Sequence, residues 1–464
     1  MFAVTSFSTG PPDRQGCAER AGYATDRQPA WAASSPSEAA VRTIGQHQRE
    51  LEALVAPALH TLADVVGDDS LEAVLVDDLA ADTGAGHGYR VVGRAVGSPM
   101  PLPPFDNSQM DGFAVRAADA GSTLRVVEPI PAGVVPVPLD PGTAAPIMTG
   151  ARIPDGADAV FPVEATEPGA FPAALSLTTV DVPADLAPGT FLRTTGSDLA
   201  LGAPVVAVGA ALTPAVLGAL AAAGVARVEL VRRPRVLVVS TGSELSGLSD
   251  AGGAGDAADT GAAINDANGI ALRAALAEVG VESRIARVPD DEPRFLAALD
   301  AAVGDWADLV LTTGGISAGA YEVVRQALEP RGLAVTPVAM QPGGPQASGT
   351  VSIAGRPVPV VSFPGNPVSA LVSFEVFLRP LLARAARMPE SRTSQVLPAA
   401  EAAVSPEGKH QVRRGRVQDG AVHFVGGPSS HLLAHYADAT HLVHVPVGTA
   451  AVEPGDHLTV WSLR

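Results

Sequence analysis

Three predicted strands in the second half of the chain each end in a glycine-bearing polar loop that leads into a helix. They read Arg235-Val-Leu-Val-Val-Ser-Thr-Gly-Ser-Glu244, Asp308-Leu-Val-Leu-Thr-Thr-Gly-Gly-Ile-Ser317 and Val358-Pro-Val-Val-Ser-Phe-Pro-Gly-Asn-Pro-Val-Ser369. Near-continuous Val and Leu runs are typical of buried parallel strands, and ligands of open α/β sheets bind beyond the carboxyl ends of the strands. Three such loops side by side would present backbone N–H groups and small hydroxyls to an anion. The sequence therefore predicts a site for a small, phosphate-bearing molecule.

The region around these loops alternates strands and helices from Pro234 to about Arg384, which predicts a doubly wound α/β domain. The predicted helices are Asn268–Val279, Pro293–Val303, Tyr321–Glu329 and Pro367–Ala383. The predicted strands lie near Arg235–Ser240, Glu282–Val288 and Asp308–Leu311.

The flanking regions differ in composition. Residues 1–40 lack periodicity, which predicts a disordered leader, and a helical pattern follows from Val41 to about Leu62. Residues 112–186 combine short apolar runs with Pro and Gly, as in a small β domain, and residues 397–464 suggest a small all-β module. At 464 residues the chain is expected to form three or four domains.

The net charge and the cysteine content of the chain limit its classes of partner and its disulfide content. The chain has 31 basic and 49 acidic residues, a net charge of −18, which argues against nucleic acid or an anionic membrane as the main partner. An anionic ligand must then be held by oriented amides and a few local arginines. The single Cys17 excludes a disulfide framework.

With no signal-peptide pattern after Met1, a cytoplasmic protein is expected. The uncharged stretch from Gly202 to Ala226 is broken by prolines and is not expected to span a membrane.

Two motifs precede the α/β region. Pro101–Val115 places Asp106, Asn107, Ser108 and Asp111 within six residues, either as a functional cluster or as side chains that bond nearby backbone N–H groups in turns. Thr149 and Gly150 follow a predicted strand and are by themselves no more than a common turn.

The segment Pro364–Ser369 also has two interpretations. Asn366 and Pro367 suit the start of any well-capped helix, whereas the matching loops at two other strand ends favour a binding role.

Carboxylates recur beside the loops. Each is either a helix cap or surface group, or one of several oxygen ligands that hold Mg²⁺ against a phosphate. They are Glu244, Asp266, Asp290, Asp291 and Glu322. The chain contains no H-E-x-x-H, C-x-x-C, Walker A or G-x-S-x-G motif, so metalloprotease, zinc-finger, P-loop and serine-hydrolase functions have no support. Five histidines between His410 and His444 are interpreted as surface or packing residues of the terminal module.

Taken in order, these motifs resemble molybdopterin molybdenumtransferase, the MoeA family, which also includes the C-terminal part of gephyrin. The matching segments are Pro-Pro-Phe-Asp-Asn-Ser-Gln-Met-Asp-Gly, Ile-Met-Thr-Gly-Ala, Ser-Thr-Gly-Ser-Glu-Leu, Ile-Asn-Asp-Ala-Asn, Thr-Thr-Gly-Gly-Ile-Ser-Ala-Gly, Phe-Pro-Gly-Asn-Pro-Val-Ser-Ala, Arg413-Arg-Gly-Arg416 and Gly427-Pro-Ser-Ser-His-Leu-Leu433. The resemblance extends from about Val41 to Arg464.

The resemblance implies a multidomain α/β and β protein with a doubly wound molybdopterin-binding domain, small β domains and an elongated linker domain. The implied parts are the linker domain, residues 41–99 with 203–233; a small β domain, 100–202; the molybdopterin-binding domain, 234–386; and a C-terminal β-barrel, 387–464.

The implied activity is insertion of molybdate into adenylylated molybdopterin with release of AMP, assisted by Mg²⁺ in a homodimer. Molybdopterin adenylyltransferase and molybdoenzymes are possible further partners. By motif position the acidic catalytic residues would be Asp111 (from the partner subunit), Asp198, Glu244, Asp290 and Glu322. Candidate Mg²⁺ ligands are Glu244, Asp266, Asp290 and Glu322. Candidate substrate-binding residues are Asn107, Ser108, Thr149, Gly150, Thr241, Gly242, Asp266, Thr313, Gly314, Gly315, Ser317, Gly319, Pro364, Gly365, Asn366, Pro367 and Ser369.

Two departures from the family pattern leave alternatives open. Glu322 stands where the family usually has Asp, and Pro337, Gln341 and Gly344 stand where it typically has lysines. Each lost lysine removes charge-assisted bonds worth about 1.5–3 kcal/mol, for which Arg325 could substitute if its helix points it inward. The chain is therefore either an active transferase or a catalytically weakened molybdopterin-binding or scaffold paralogue; a third possibility is another nucleotide-binding α/β enzyme.

Overall fold

The computed structural model describes residues 41–63, 71–81, 90–242, 245–246, 264–288, 291–316, 322–388 and 391–463. The predicted leader and four predicted site residues, Glu244, Asp290, Ser317 and Gly319, lie outside these ranges. No helix within them has the length and apolar character needed to cross a membrane.

A six-stranded sheet forms the centre of the α/β region. In spatial order its strands are Glu282–Val288, Arg235–Thr241, Leu309–Thr313, Arg356–Phe363, Pro345–Ile353 and Ala334–Pro337. The first four run parallel and the last two are antiparallel to their neighbours. The parallel register sets Ser240 beside Thr313 and Thr313 beside Phe363, so three strands end at one level.

Both faces of this sheet are buried, which explains the near-continuous apolar runs in the sequence. Successive residues of a strand point to opposite faces: Val236 and Val238 belong to one core cluster, whereas Leu237 and Val239 belong to another. Helices cover both faces. Those that follow strands of this sheet are Ala267–Glu278, Glu292–Val303, Val323–Leu328, Pro367–Ser373 and Arg379–Ala385.

The predicted helices and parallel strands of this region are confirmed to within a few residues. The predicted helix Pro367–Ala383 differs in one respect: a π-helical turn, Phe374–Leu378, separates two α-helical segments. The helix Ile44–Ala63 packs through Leu51 and Val55 into the same core cluster as Val236, so it covers one face of the central sheet.

A second group of strands lies between residues 107 and 193. Its five-stranded sheet has the order Ala159–Pro162, Gly112–Val115, Thr143–Ile147, Thr123–Val126 and Thr179–Asp181. Asn107–Ser108 pairs separately with Leu192–Arg193. Phe113 and Phe161 stack at 5.5 Å between ring centroids in its core.

Residues on either side of this group form two short antiparallel pairs, Leu71–Leu75 with Arg227–Val231 and Val96–Gly97 with Pro204–Val206. The helices Val76–Ala81 and Pro214–Ala222 pack beside them.

The C-terminal region is mainly β. Its six-stranded sheet contains Met340–Gln341, His410–Gln418, His441–Val445, His457–Ser462, Ser394–Pro398 and Ala421–Phe424. The remaining elements are the pair Ala403–Val404 and Ala451–Val452, the helix Leu433–Asp438, and the short parallel pair Leu245–Ser246 and Ile264–Asn265. Met340–Gln341 belongs to the α/β region in sequence but pairs with the strand His410–Gln418, so it connects that region to the C-terminal sheet. The domain boundaries given above stay a prediction.

Candidate active site

A crevice of about 550 Å³ opens at the carboxyl ends of the three central parallel strands. Thr241, Gly314 and Gly365, one from each strand end, all line it. Within the described ranges, the lining consists of Thr241, Gly242, Ile264, Asn265, Asp266, Ala267, Asn268, Thr313, Gly314, Gly315, Ile316, Glu322, Pro345, Pro364, Gly365, Asn366 and Pro367. The three loops thus share one rim, as the sequence predicts.

The loops touch one another, and glycine is required for that contact. Gly314 and Gly315 have backbone φ angles of +86° and +69°, a conformation that residues with a side chain rarely adopt. A Cβ built on Gly315 would lie 2.8 Å from Cγ2 of Val324, and one on Gly365 would lie 3.3 Å from Cα of Gly314. The Gly314 N–H donates to the Phe363 carbonyl at 3.0 Å, so this amide joins the second loop to the third strand.

Asn268 clamps two of the loops from the side. Its Nδ2 donates to Thr313 Oγ1 at 2.8 Å and to the Gly365 carbonyl at 2.7 Å. Asn268 is absent from the predicted site residues although it ends the Ile-Asn-Asp-Ala-Asn motif, because an asparagine in a first helical turn is ordinary in isolation. Its two partners lie 45 and 97 residues away in sequence, and only the fold brings them together.

Asp266 caps the helix Ala267–Glu278. Its Oδ1 accepts from the Gly269 N–H at 2.8 Å, and its Oδ2 lies 3.5 Å from Arg287 Nε. The side chain is 1% exposed. Its carboxylate therefore holds the helix start and an arginine at the crevice edge, the capping role that the sequence left open.

The carboxylates do not gather into a metal cluster in the part of the chain that the structure describes. No group of three or more His, Cys, Asp or Glu side chains there could hold a metal ion. Asp266 and Glu322 are the acidic side chains in the described lining. Of the terminal histidines, His410 Nε2 lies 3.0 Å from His444 Nδ1, and His444 packs on Trp461, so these two are packing residues.

The third loop meets the C-terminal region. Pro364, Gly365, Asn366 and Pro367 line the crevice, and the Val368 N–H at the start of the helix donates to the Ser430 carbonyl at 3.1 Å. The Asn366 side chain makes no capping bond. Ser369 is 3% exposed and lies outside the lining, so the structure places it in the core rather than at the rim.

The predicted residues of the small β region form their own cluster, separate from the crevice lining. Asp111 Oδ1 accepts from the Thr149 N–H at 2.7 Å and from Thr149 Oγ1 at 2.8 Å, and both residues are exposed. The Gly150 N–H donates to the Ser108 carbonyl at 2.9 Å. Asp198 is exposed in a turn, where its N–H donates to the Leu102 carbonyl at 2.9 Å.

Asp106 has the same local geometry as Asp111. Its Oδ1 accepts from the N–H and the Oγ1 of Thr195, both at 2.7 Å, and these bonds lower the pKa of the Asp106 carboxyl. Asn107 and Ser108 are buried and bond the backbone carbonyls of Phe105 and Met110. Turn chemistry thus explains much of this motif.

The segment Pro337–Pro345, which lacks the lysines expected from the family pattern, contacts the C-terminal region. Gln341 Oε1 accepts from Gln411 Nε2 at 2.6 Å, and Pro345 is the residue of this segment that lines the crevice. Arg325 pairs with Glu329 at 3.0 Å and is not in the lining. The described lining contains no Lys or Arg, and Arg287 lies 3.5 Å from the lining residue Asp266. The expectation of local arginines around the ligand stays a prediction.

Two protein families match the chain. Residues 37–224 match the family described as MoeA N-terminal region (domain I and II), and residues 237–384 match the family described as probable molybdopterin binding domain. The second match contains every described residue of the crevice lining.

Individual relatives and one solved structure indicate the same family. The chain is 44% identical over 394 residues to molybdopterin molybdenumtransferase 2 of Mycobacterium tuberculosis, covering 80% of this chain and 92% of the relative. It is 34% identical to molybdopterin molybdenumtransferase of Synechococcus elongatus, covering 81% of this chain and 92% of the relative. The solved structure of the molybdopterin biosynthesis MoeA protein from Pyrococcus horikoshii superposes with a TM-score of 0.64 at 26% identity, covering 92% of this chain and all of that one.

Proposed function

This chain belongs to the MoeA family of molybdopterin molybdenumtransferases, and we propose that it inserts molybdate into adenylylated molybdopterin with release of AMP. One observation carries the proposal. The rim on which three glycine-bearing strand ends meet lies within the region that matches a molybdopterin-binding family.

The rim supplies what a phosphate needs without a cationic side chain. Backbone N–H groups at a loop that leads into a helix attract anions, because the helix dipole adds to the amide dipoles. We assign this role to the amides of Gly315 and Gly365, with the hydroxyl of Thr241 beside them. Asn268 fixes the spacing of the second and third loops, so the amides are positioned before the ligand arrives.

Mg²⁺ fits the lining in one mode. This ion is commonly held by one or two carboxylates together with substrate phosphates and water, rather than by an all-protein cage. Glu322 would hold it, with Glu244 and Asp290 as further proposed ligands; the Asp266 carboxylate is already engaged as a helix cap. The bound ion would offset the negative charge of the phosphates and of molybdate.

We further propose that the active form is a homodimer in which Asp111 and Thr149 of the partner subunit complete the crevice. Asp111 and Thr149 are exposed and are hydrogen-bonded to each other, yet neither lies in the crevice lining formed by a single chain. This observation supports the shared site.

The direct test of the activity is molybdate insertion by the purified chain. With adenylylated molybdopterin, molybdate and Mg²⁺, we expect stoichiometric AMP release and a product that activates a molybdenum-free molybdoenzyme. Tight binding of molybdopterin without turnover would instead establish the scaffold alternative, which the names of the curated relatives do not favour. Preference for ordinary nucleotides over molybdopterin would establish the third possibility.

The shared site has its own test. Asp111→Asn and Gly315→Ala are each expected to be inactive as homodimers. If the partner's Asp111 completes the crevice, mixing the two variants creates heterodimers with one intact site, and up to about a quarter of the unaltered activity should return. No recovery despite confirmed subunit exchange would reject the shared site but leave the proposed reaction standing.

A further inference from the structure

In this chain the positive charge for binding an anion comes almost entirely from arginine. Of its 31 basic residues only Lys409 is a lysine, and it lies in an exposed turn of the C-terminal region. The described lining of the crevice contains neither Lys nor Arg. In sequence, residues 243–244, 247–263, 289–290 and 317–321, which lie outside the described ranges, contain none either. The proposed reaction brings phosphate and molybdate together, so a cation from elsewhere would add to the binding that the rim amides provide.

Arg152 lies close to the Asp111–Thr149 pair that is proposed to complete the crevice. It follows Thr149 by three residues and is exposed. Between them the chain makes a tight turn, in which the Ala151 N–H donates to the Met148 carbonyl at 3.0 Å. A turn closed by such a bond keeps its ends within about 7 Å of each other. The backbone of Arg152 therefore leaves the turn close to Thr149.

The backbone of Arg152 is fixed on the motif that carries Asp111. Arg152 forms an antiparallel bridge with Asn107. The Ser108 N–H donates to the carbonyl of the residue before Arg152 at 3.0 Å, and the N–H of the residue after it donates to the Asp106 carbonyl at 2.9 Å. A residue held by such paired backbone keeps a binding geometry more precisely than one on an open loop.

The guanidinium of Arg152 remains at the surface. Its Cζ lies 6.0 Å from the centre of the Phe105 ring. Its charge also acts on Asp106: the two hydrogen bonds from Thr195 lower the pKa of the Asp106 carboxyl most, and Arg152 lowers it further. Among the described residues no carboxylate forms an ion pair with Arg152. The N–H donors of its guanidinium are therefore available to an incoming anion.

We propose that Arg152 of the partner subunit binds an oxyanion held in the crevice, either the substrate phosphate or molybdate, and so adds a cation to the amides of the rim. This assignment rests on the shared site proposed above, in which the same surface closes the crevice. A planar guanidinium donates two parallel N–H bonds to such an anion, and bonds between two charged partners are shorter and stronger than neutral ones. Because the cation comes from the second subunit, the anion binds tightly only in the assembled dimer.

Calorimetric titration of the full chain with AMP and, separately, with molybdate tests the assignment without turnover. Arg152→Gln should weaken the binding of at least one of these anions about tenfold or more, the loss of one charge-assisted contact. Arg152→Lys should restore part of that loss. The anion whose affinity falls is the one that Arg152 binds.

Arg125→Gln is the matched control. Arg125 is exposed in the same small sheet and pairs with Thr143, the first residue of the strand Thr143–Ile147, whereas Thr149 follows the last residue of that strand. The affinities of Arg125→Gln for both anions should stay within about twofold of the unaltered values, since a charge difference at that distance is screened by salt. Thermal melts show whether each variant is folded.

Subunit mixing tests whether Arg152 acts across the dimer. Arg152→Gln alone should insert molybdate with a raised KM and a nearly unchanged kcat, the pattern of lost uniform binding. Mixed with inactive Gly315→Ala subunits, it forms heterodimers in which one crevice keeps Gly315 and receives an intact Arg152 from the partner subunit. At low substrate concentration about a quarter of the unaltered activity should then return, with the unaltered KM, since half of the dimers carry one intact site of two.

Unchanged affinity for both anions in Arg152→Gln would overturn the proposal, as would equal losses in Arg125→Gln or no saturable binding of either anion by the unaltered chain. A raised KM that mixing does not restore, despite confirmed subunit exchange, would place Arg152 at its own subunit's crevice and would also overturn it. The proposed function fails separately: an unaltered chain that binds these anions through Arg152 but inserts no molybdate would reject the reaction and keep the assignment.

Discussion

The crevice rim and the Asp111–Thr149 pair of the small β region present polar groups in two different ways. The described crevice lining has two carboxylates and no Lys or Arg, so we expect an anion there to be held by backbone amides whose positions depend on glycine. In the Asp111–Thr149 pair, an exposed carboxylate accepts two hydrogen bonds from one threonine. The crevice should thus be sensitive to backbone shape, and the Asp111–Thr149 pair to the charge of one side chain.

The largest expected effect tests whether the amide crevice also needs a carboxylate from outside its own lining. In Asp111→Asn the side-chain oxygen that accepts both bonds from Thr149 is kept, so the free energy of unfolding should change by less than about 1 kcal/mol. Turnover should fall by about 10²-fold or more, as for an acidic group at a reaction centre. Insertion kinetics and urea unfolding measure the two.

Asp106→Asn is the matched control, since Asp106 bonds Thr195 in the same way. Turnover should stay near that of the unaltered chain. Equal losses of activity in both variants, or of activity and stability in Asp111→Asn, would return Asp111 to a turn-forming role.

The second prediction concerns the dependence on backbone shape. Gly315→Ala should reduce turnover about 10²-fold, because the new Cβ would lie 2.8 Å from Val324 Cγ2 and would push the second loop from the rim. Its positive φ adds about 1–2 kcal/mol of strain. Steady-state insertion kinetics with thermal melts would measure both effects.

The variant Gly355→Ala separates the strain of a positive φ from the contact that displaces the loop. Gly355 has a φ of +76°, but a Cβ there meets no atom within 4 Å. We expect a similar loss of stability with unchanged activity. If Gly355→Ala lowers activity as much as Gly315→Ala, the contact between loops is not what matters.

The third prediction tests the clamp between two loops. Asn268→Asp keeps the size of the side chain but removes the donor to Thr313 Oγ1 and to the Gly365 carbonyl. Affinity for molybdopterin should fall about 10- to 100-fold, since two bonds are lost and the new charge repels phosphate. Calorimetry measures this affinity, and a thermal melt of the same preparation shows whether the variant is folded. A strongly destabilised variant would mean that the substitution perturbs the whole domain.

The smallest expected effect concerns the missing lysines. Gln341 is engaged with Gln411 at the contact with the C-terminal sheet, so the crevice is built without a cation at this position. Gln341→Lys should leave turnover within about threefold. A large gain in rate would show that the amides alone are insufficient and would favour the weakened paralogue.

Local sequence signals were sufficient for the central sheet and for the rim. The runs Val236–Val239 and Leu309–Leu311 are buried on both faces, and the glycines that end each strand allow the loops to touch. The turn chemistry around Asp106 and Asp111 was likewise foreseen as one of two interpretations.

Contacts between distant residues were beyond such signals. The clamp of Asn268 and the packing of helix Ile44–Ala63 on the central sheet depend on tertiary structure. Ser369 was assigned to the rim because it follows the third loop, but the helical turn rotates it into the core. Periodicity indicates which residues are buried, not which distant ones meet.

The central claim is that backbone amides of three adjacent strand ends bind the phosphate of the substrate. A crystal structure of the chain with AMP or adenylylated molybdopterin tests it most directly. We predict phosphate oxygens within hydrogen-bond distance of the Gly315 and Gly365 amides, in the crevice beside Asn268. A phosphate held instead by lysine or arginine side chains away from these glycines would contradict the account.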